Sequence, residues 1–340
     1  MGLGRPIRHL ITPGEPSWVF NGVKLVVARQ IDLSVSVGKL RLKNPVIVAS
    51  GTFGYGQEFE PFIDLSQLGA IIPKGISLNP MPGNPPPRIF ETTGGMLNSI
   101  GLQNPGLHVF IQEKLPYFKN IKTDLIINIF GKSQQEYVEL SKRLTDLPGI
   151  SGLEMNISCP NVHQGGIIFG TDPRMTYRLV SKVRRSTPYP LIVKLSPNVT
   201  DITRIARSAE EGGADAVSLV NTFKALAINI HSKRPELGNI IGGLSGPAIK
   251  PIALRMVWEV FQAVRIPVIG MGGIMKSEDA IQFILAGACA VQIGTANLIN
   301  PSTGIEVLQG IKHYLRENRI YAVKDLTGLC IKEKGASHPS

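Results

Sequence analysis

The chain has 340 residues, 43% hydrophobic and 18% charged, with a formal net charge of +11. Its size fits one large α/β unit, and no apolar run approaches the roughly 20 residues of a spanning helix, which excludes a helical membrane protein. Three cysteines, Cys159, Cys289 and Cys330, lie far apart without a CxxC pair, which argues against a metal cluster or disulfide framework and fits a reducing cytoplasm.

The +11 charge suggests either a polyanion partner or a basic surface around small anionic ligands. Lys and Arg are scattered apart from Lys182-Val183-Arg184-Arg185. Aromatics make up only 6% and do not interleave with the basic residues, so the small-ligand reading is favoured. Residues 1–30 read as an irregular extension broken by Pro6, Pro13 and Pro16. The first 13 carry charges but no apolar core, so no secretory signal is expected. Residues 33–37 and 39–42 alternate apolar and polar around Gly38, which predicts a β-hairpin.

Eight short β-rich runs follow, at 45–50, 70–74, 125–130, 152–157, 191–195, 216–220, 267–270 and 290–294. Helical patterns lie at 133–144, 172–185, 200–211, 248–264 and 277–286, with closing helices near 301–317 and 322–328. Runs apolar on both faces are what parallel strands covered by helices require. Alternating β and α segments make parallel βαβ units, and eight of them predict a (β/α)8 TIM barrel of the α/β class. The barrel domain is expected over 31–330, with a polar tail at 331–340 and no second domain. Residues 77–116 hold seven prolines and read as an inserted loop at the carboxyl-terminal face.

Chemistry in such a barrel belongs at the carboxyl-terminal strand ends. There the runs place Ser50, Lys74, Asn128, Asn156, Lys194, Asn221 and Thr222, then Gly270-Met271-Gly272-Gly273 and Gly294-Thr295. The two glycine clusters beside helix starts suit a phosphate-bearing ligand. Lys74 and Lys194 read either as snorkelling rim lysines or as fixed cations facing an anion. Asparagine is poor in strands, so three at strand ends suggest a shared task. Together these groups suit a planar heterocycle with imide and carboxylate edges stacked on a second, phosphorylated one. Asn156-Ile157-Ser158-Cys159-Pro160-Asn161 sets a thiol on a loop leaving a strand, between amides. Cys159 is there either a small buried hydrophobe or a proton acceptor. The glycines in 161–170 suit a lid over the ligand.

These residues belong to a recognisable set. Ala49-Ser50-Gly51-Thr52-Phe53-Gly54, Gly83-Asn84-Pro85-Pro86-Pro87-Arg88, residues 96–106, residues 156–162, Val193-Lys194-Leu195-Ser196-Pro197-Asn198, residues 242–251 and the two glycine clusters occur in the order of one family. The chain resembles the catalytic subunit of class 1 dihydroorotate dehydrogenase over roughly 31–328. Gly242-Gly243-Leu244-Ser245-Gly246-Pro247-Ala248 and Phe169-Gly170-Thr171-Asp172-Pro173 resemble the NAD-linked subtype, class 1B. The resemblance implies FMN and oxidation of dihydroorotate to orotate in pyrimidine synthesis. Cys159 is implied as the base taking the C5 proton while a hydride leaves C6 for flavin N5, with Lys194 facing the flavin pyrimidine edge. Implied flavin contacts are Ser50, Lys74, Gly75, Asn128, Asn156, Lys194, Val220, Gly246, Gly272, Gly273, Gly294 and Thr295. Implied substrate contacts are Lys74, Asn98, Ser99, Ile100, Gly101, Leu102, Asn156, Asn221 and Thr222. Gly75 departs from the family's usual small hydroxyl residue. The family pattern further implies a homodimer core and a partner subunit carrying FAD and a [2Fe–2S] cluster, two of each in a heterotetramer passing electrons to NAD+. Two other readings stand beside it. One is a dihydropyrimidine dehydrogenase-type enzyme acting on uracil or thymine, and the other a polyanion-binding module without catalysis.

Overall fold

The computed structural model describes residues 17–20, 23–26, 30–157 and 166–332. Eight parallel strands close into a barrel: β1 (Val46–Val48), β2 (Ala70–Ile71), β3 (Asp124–Ile129), β4 (Gly152–Asn156), β5 (Leu191–Lys194), β6 (Ala216–Leu219), β7 (Val268–Met271) and β8 (Ala288–Ile293). They neighbour one another in chain order, and β8 returns to β1. Each expected run overlaps its strand, and five of the eight contain it whole; the strands at Asp124–Ile129, Val268–Met271 and Ala288–Ile293 run one or two residues past the expected bounds. Almost every strand residue is buried, because the barrel interior lies on one side and the helix ring on the other.

Helices α1 (Gln134–Leu144), α2 (Pro173–Arg184), α3 (Ile202–Glu211), α4 (Lys250–Ala263), α5 (Ser277–Leu285) and α6 (Thr303–Glu317) follow β3 to β8 in turn. Their starts are encoded locally. Ser133, Asp172 and Asp201 accept from the main-chain N–H of Glu136, Met175 and Thr203, the standard satisfaction of first-turn donors. The expected helix at 322–328 is instead a tight turn at Val323–Leu326 followed by a short helix at Leu329–Lys332. Gly328, at φ +70, separates the two.

Within the extension read as irregular, Ser17–Phe20 pairs antiparallel with Val23–Val26, which corrects that expectation. The expected hairpin pairs Val35–Val37 with Leu40–Leu42. Its turn lies against Asp215, the residue before β6, so it closes the amino-terminal end of the barrel. The opposite end departs from the expected plain loop. Strands Ile89–Thr92 and Gly95–Asn98, from the segment after β2, join Gly242–Ser245 and Phe223–Ala225, from the segment after β6, in one antiparallel sheet. A helical stretch over 106–118 then supplies the β2-to-β3 crossover. The prolines of 77–116 masked this structure, since Pro80 to Pro87 precede the hairpin and Pro116 sits within the first turn of a short helix. Among the described residues no helix is long and apolar enough to cross a membrane.

Candidate active site

The carboxyl-terminal strand ends and the added sheet enclose a cleft of about 270 Å³. Ser50 follows β1, Lys74 and Gly75 follow β2, Asn128 lies in β3, Asn156 ends β4 and Lys194 ends β5. Val220, Asn221 and Thr222 follow β6, Gly272 and Gly273 follow β7, and Gly294 and Thr295 follow β8. All of them border the cleft. So do Asn98, Ile100, Gly101 and Leu102 from the first insertion and Gly246 from the second. Ser99 does not. Its side chain is fully buried and its hydroxyl accepts from Asn84 Nδ2 at 2.9 Å, so it braces the loop. Cys159 and residues 158–165, including the first half of the expected lid, lie outside the described residues, and the second half falls in a short helix at Gly166–Thr171.

Register explains how distant residues converge. Asn128 pairs with Glu154 across β3 and β4, Asn156 with Lys194 across β4 and β5, and Lys194 with Ser218 across β5 and β6. The two lysines then differ in surroundings. Lys194, 5% exposed, has Glu154 Oε1 at 3.8 Å from Nζ. Lys74 is half-buried and has no acidic partner among the described residues. Burial, aided by the Arg88 charge, holds its ammonium below the ordinary lysine range. An anionic ligand group placed there relieves that penalty.

The amides are held from behind. Asn156 O accepts from the Tyr137 hydroxyl at 2.7 Å, and Asn98 Nδ2 donates to Gly243 O at 3.3 Å. Asn221 Oδ1 accepts from Thr222 N at 2.9 Å, while its Nδ2 lies 3.5 Å from Asn156 Oδ1. Thr295 Oγ1 donates to Ser245 Oγ at 2.8 Å, tying the end of β8 to the added sheet. Gly273 has φ +75, and a Cβ there would lie 2.8 Å from Gly246 O, so the segments after β6 and β7 meet main chain to main chain. Gly75 has a spatial reason as well: a Cβ would come within 2.5 Å of Asn128 Oδ1.

Sequence reasoning missed Glu154, Ser218 and Gln292, polar residues inside otherwise apolar strands. That interruption was their signal, because a charged residue is almost never fully buried without partners. Burial pushes the Cys289 thiol up to about 12, which rules it out as a base near neutral pH.

The arrangement has fixed cations and amides along one part of the cleft and glycine-bounded main chain along another. Such an arrangement suits an anionic planar ring beside a second, phosphate-bearing group. Comparison with known proteins agrees in kind. The family model described as dihydroorotate dehydrogenase matches residues 32–315. A protein of Geotalea uraniireducens named dihydroorotate dehydrogenase B (NAD(+)), catalytic subunit, is 58% identical over 300 residues, covering 88% of this chain and 98% of that protein. Proteins of the same name from Geotalea daltonii and Pelobacter propionicus are 57% and 56% identical over 297 residues, covering 87% of this chain and 97% and 98% of theirs.

Proposed function

Because this chain belongs to the dihydroorotate dehydrogenase family, we propose that it oxidises (S)-dihydroorotate to orotate in pyrimidine synthesis, using FMN held in the cleft. The observation that carries the proposal is the cation of Lys74, without an acidic partner among the described residues, beside the amides of Asn98, Asn156 and Asn221 in one cleft. A carboxylate on a ring bearing imide groups satisfies both.

The residues suit a flavin. Gln292 is 1% exposed and borders the cleft, yet its Oε1 has no partner among the described residues. It is an acceptor waiting for a ligand donor. Gly246 and Gly273 border the cleft and carry no side chain, so a ligand there would meet main chain. FMN, when bound, supplies the acceptor for the hydride that leaves C6. The protein's own part is to bind, orient and remove a proton. Lys74 holds the substrate carboxylate, and Asn98, Asn156, Asn221 and Thr222 fix the ring. Cys159 takes the C5 proton, so that the C5–C6 double bond forms as both hydrogens depart. Lys194 offers positive charge where the bound ring gains electrons.

The proposal extends to the assembly. The relatives are named as catalytic subunits. We assign this chain a partner subunit carrying FAD and a [2Fe–2S] cluster, two of each around a homodimer core, with NAD+ as final acceptor in the cytoplasm. The division into an extension at 1–30, a barrel at 31–330 and a tail at 331–340 belongs to the same proposal.

The test is an anaerobic visible spectrum of the purified chain reconstituted with FMN. Bleaching of the flavin band by dihydroorotate but not by dihydrouracil is expected. Bleaching by dihydrouracil alone moves the substrate to an uncharged pyrimidine, and failure to take up FMN overturns the proposal.

A further inference from the structure

Beneath the cleft floor lies a carboxylate to which the proposed chemistry gives no role. Glu154 sits within β4, fully buried and not bordering the cleft. Its Oε1 accepts from Asn128 Nδ2 at 2.7 Å and lies 3.8 Å from Lys194 Nζ. Its Oε2 accepts from Gln292 Nε2 at 2.6 Å and from Ser218 Oγ at 2.9 Å. These four partners come from four other barrel strands, and none is more than 5% exposed. Three hydrogen-bond donors and the nearby Lys194 cation fill most of the roughly four acceptor sites of a carboxylate.

Stability alone is a weak reason for such a group, because well-packed apolar residues often replace a buried ionic cluster at no cost. Its geometry points elsewhere. Three of the four partners, Asn128, Lys194 and Gln292, border the cleft. Glu154 takes the nitrogen end of both amides. That leaves Asn128 Oδ1 turned toward Gly75 and Gln292 Oε1 without a partner among the described residues. The floor therefore offers oxygens to a ligand, which select N–H or O–H groups on it. The same carboxylate places a negative charge behind Lys194.

We propose that Glu154 is a positioning residue: it sets the amides of Asn128 and Gln292 as acceptors, anchors Lys194, and by opposing that cation's charge makes the bound flavin harder to reduce. The inference rests on the flavin reading above. Charge near a flavin ring is one of the levers by which a protein tunes it.

The experiment compares FMN affinity, by quenching of flavin fluorescence, and midpoint potential, by spectroelectrochemistry, in wild type and Glu154→Gln. The variant is expected to bind FMN about tenfold more weakly and to hold it at a more positive potential. Ser218→Ala, which removes a donor without removing charge, should leave the potential where it was. An unchanged or lower potential in Glu154→Gln overturns the proposal and makes the residue a packing element. If that variant does not fold by circular dichroism, Glu154→Asp replaces it. Withdrawing the carboxylate from Lys194 should shift the potential the same way by less, and values equal to wild type overturn the proposal. A wild-type chain that takes up no FMN overturns the flavin reading itself, a distinct result.

Discussion

Lys74 makes the sharpest residue-scale prediction. Its ammonium is already held below the ordinary lysine value of 10.5 by burial and by Arg88. A cation that binds an anion loses its grip as pH rises through its own pKa. Because that pKa is depressed, KM for dihydroorotate should climb at lower pH than an ordinary lysine would allow. Lys74→Met should raise KM about 10–100-fold, the cost of one charge-assisted hydrogen bond, and flatten the pH dependence, as steady-state kinetics would show. Cys159→Ala should retain FMN and lose about 10²–10⁴-fold in the proton-abstraction step. Near-wild-type flavin reduction by that variant would remove Cys159 from the role. Residues at strand ends were legible in the sequence because a barrel sends them all to one face. Ser99 misled, since its place in the motif said nothing of Asn84. Glu154 and Gln292 escaped because their hydrogen bond joins β4 to β8, 138 positions apart in the chain.

At the scale of elements, two junctions hold the glycine-bounded side of the cleft. Gly273→Ala would force a Cβ toward Gly246 O and Lys250 N at φ +75. A loss of about 1–3 kcal/mol is expected in urea unfolding, together with weaker FMN binding. Nearby, Lys250 at the start of α4 pairs with Asp279 of α5 at 2.6 Å, and Asp279 also accepts from Met275 N and Lys276 N. Burial pushes the Asp279 carboxyl up, but these donors and the Lys250 charge outweigh it and hold it below the usual 3.8. A depressed folded-state carboxyl contributes stability above the unfolded-state value and loses it as pH falls through the folded one. Asp279→Asn should therefore cost stability near neutrality and flatten the acid limb of a stability-versus-pH series. The barrel strands and helices were readable because apolar runs and side-chain caps are local. The added sheet was not, because its local hairpin of Ile89–Thr92 and Gly95–Asn98 is completed by pairing with the distant Gly242–Ser245.

For the whole molecule, the +11 charge should act on encounter rather than on chemistry. Screening shortens the Debye length to about 8 Å at 0.15 M salt. Added salt should thus lower kcat/KM for the anionic dihydroorotate several-fold and leave kcat unchanged. Equal sensitivity of both would show that salt perturbs the fold instead. The sheet over the cleft also sets an order of events in the cell. Asn98 bonds to Gly243, 145 positions later in the chain. At about 5–20 residues per second, roughly 7–30 s of synthesis separate the two. The first four barrel strands therefore leave the ribosome well before the cover of the site has its second half. The nascent chain becomes able to hold ligand only near completion, and an abandoned fragment remains catalytically silent.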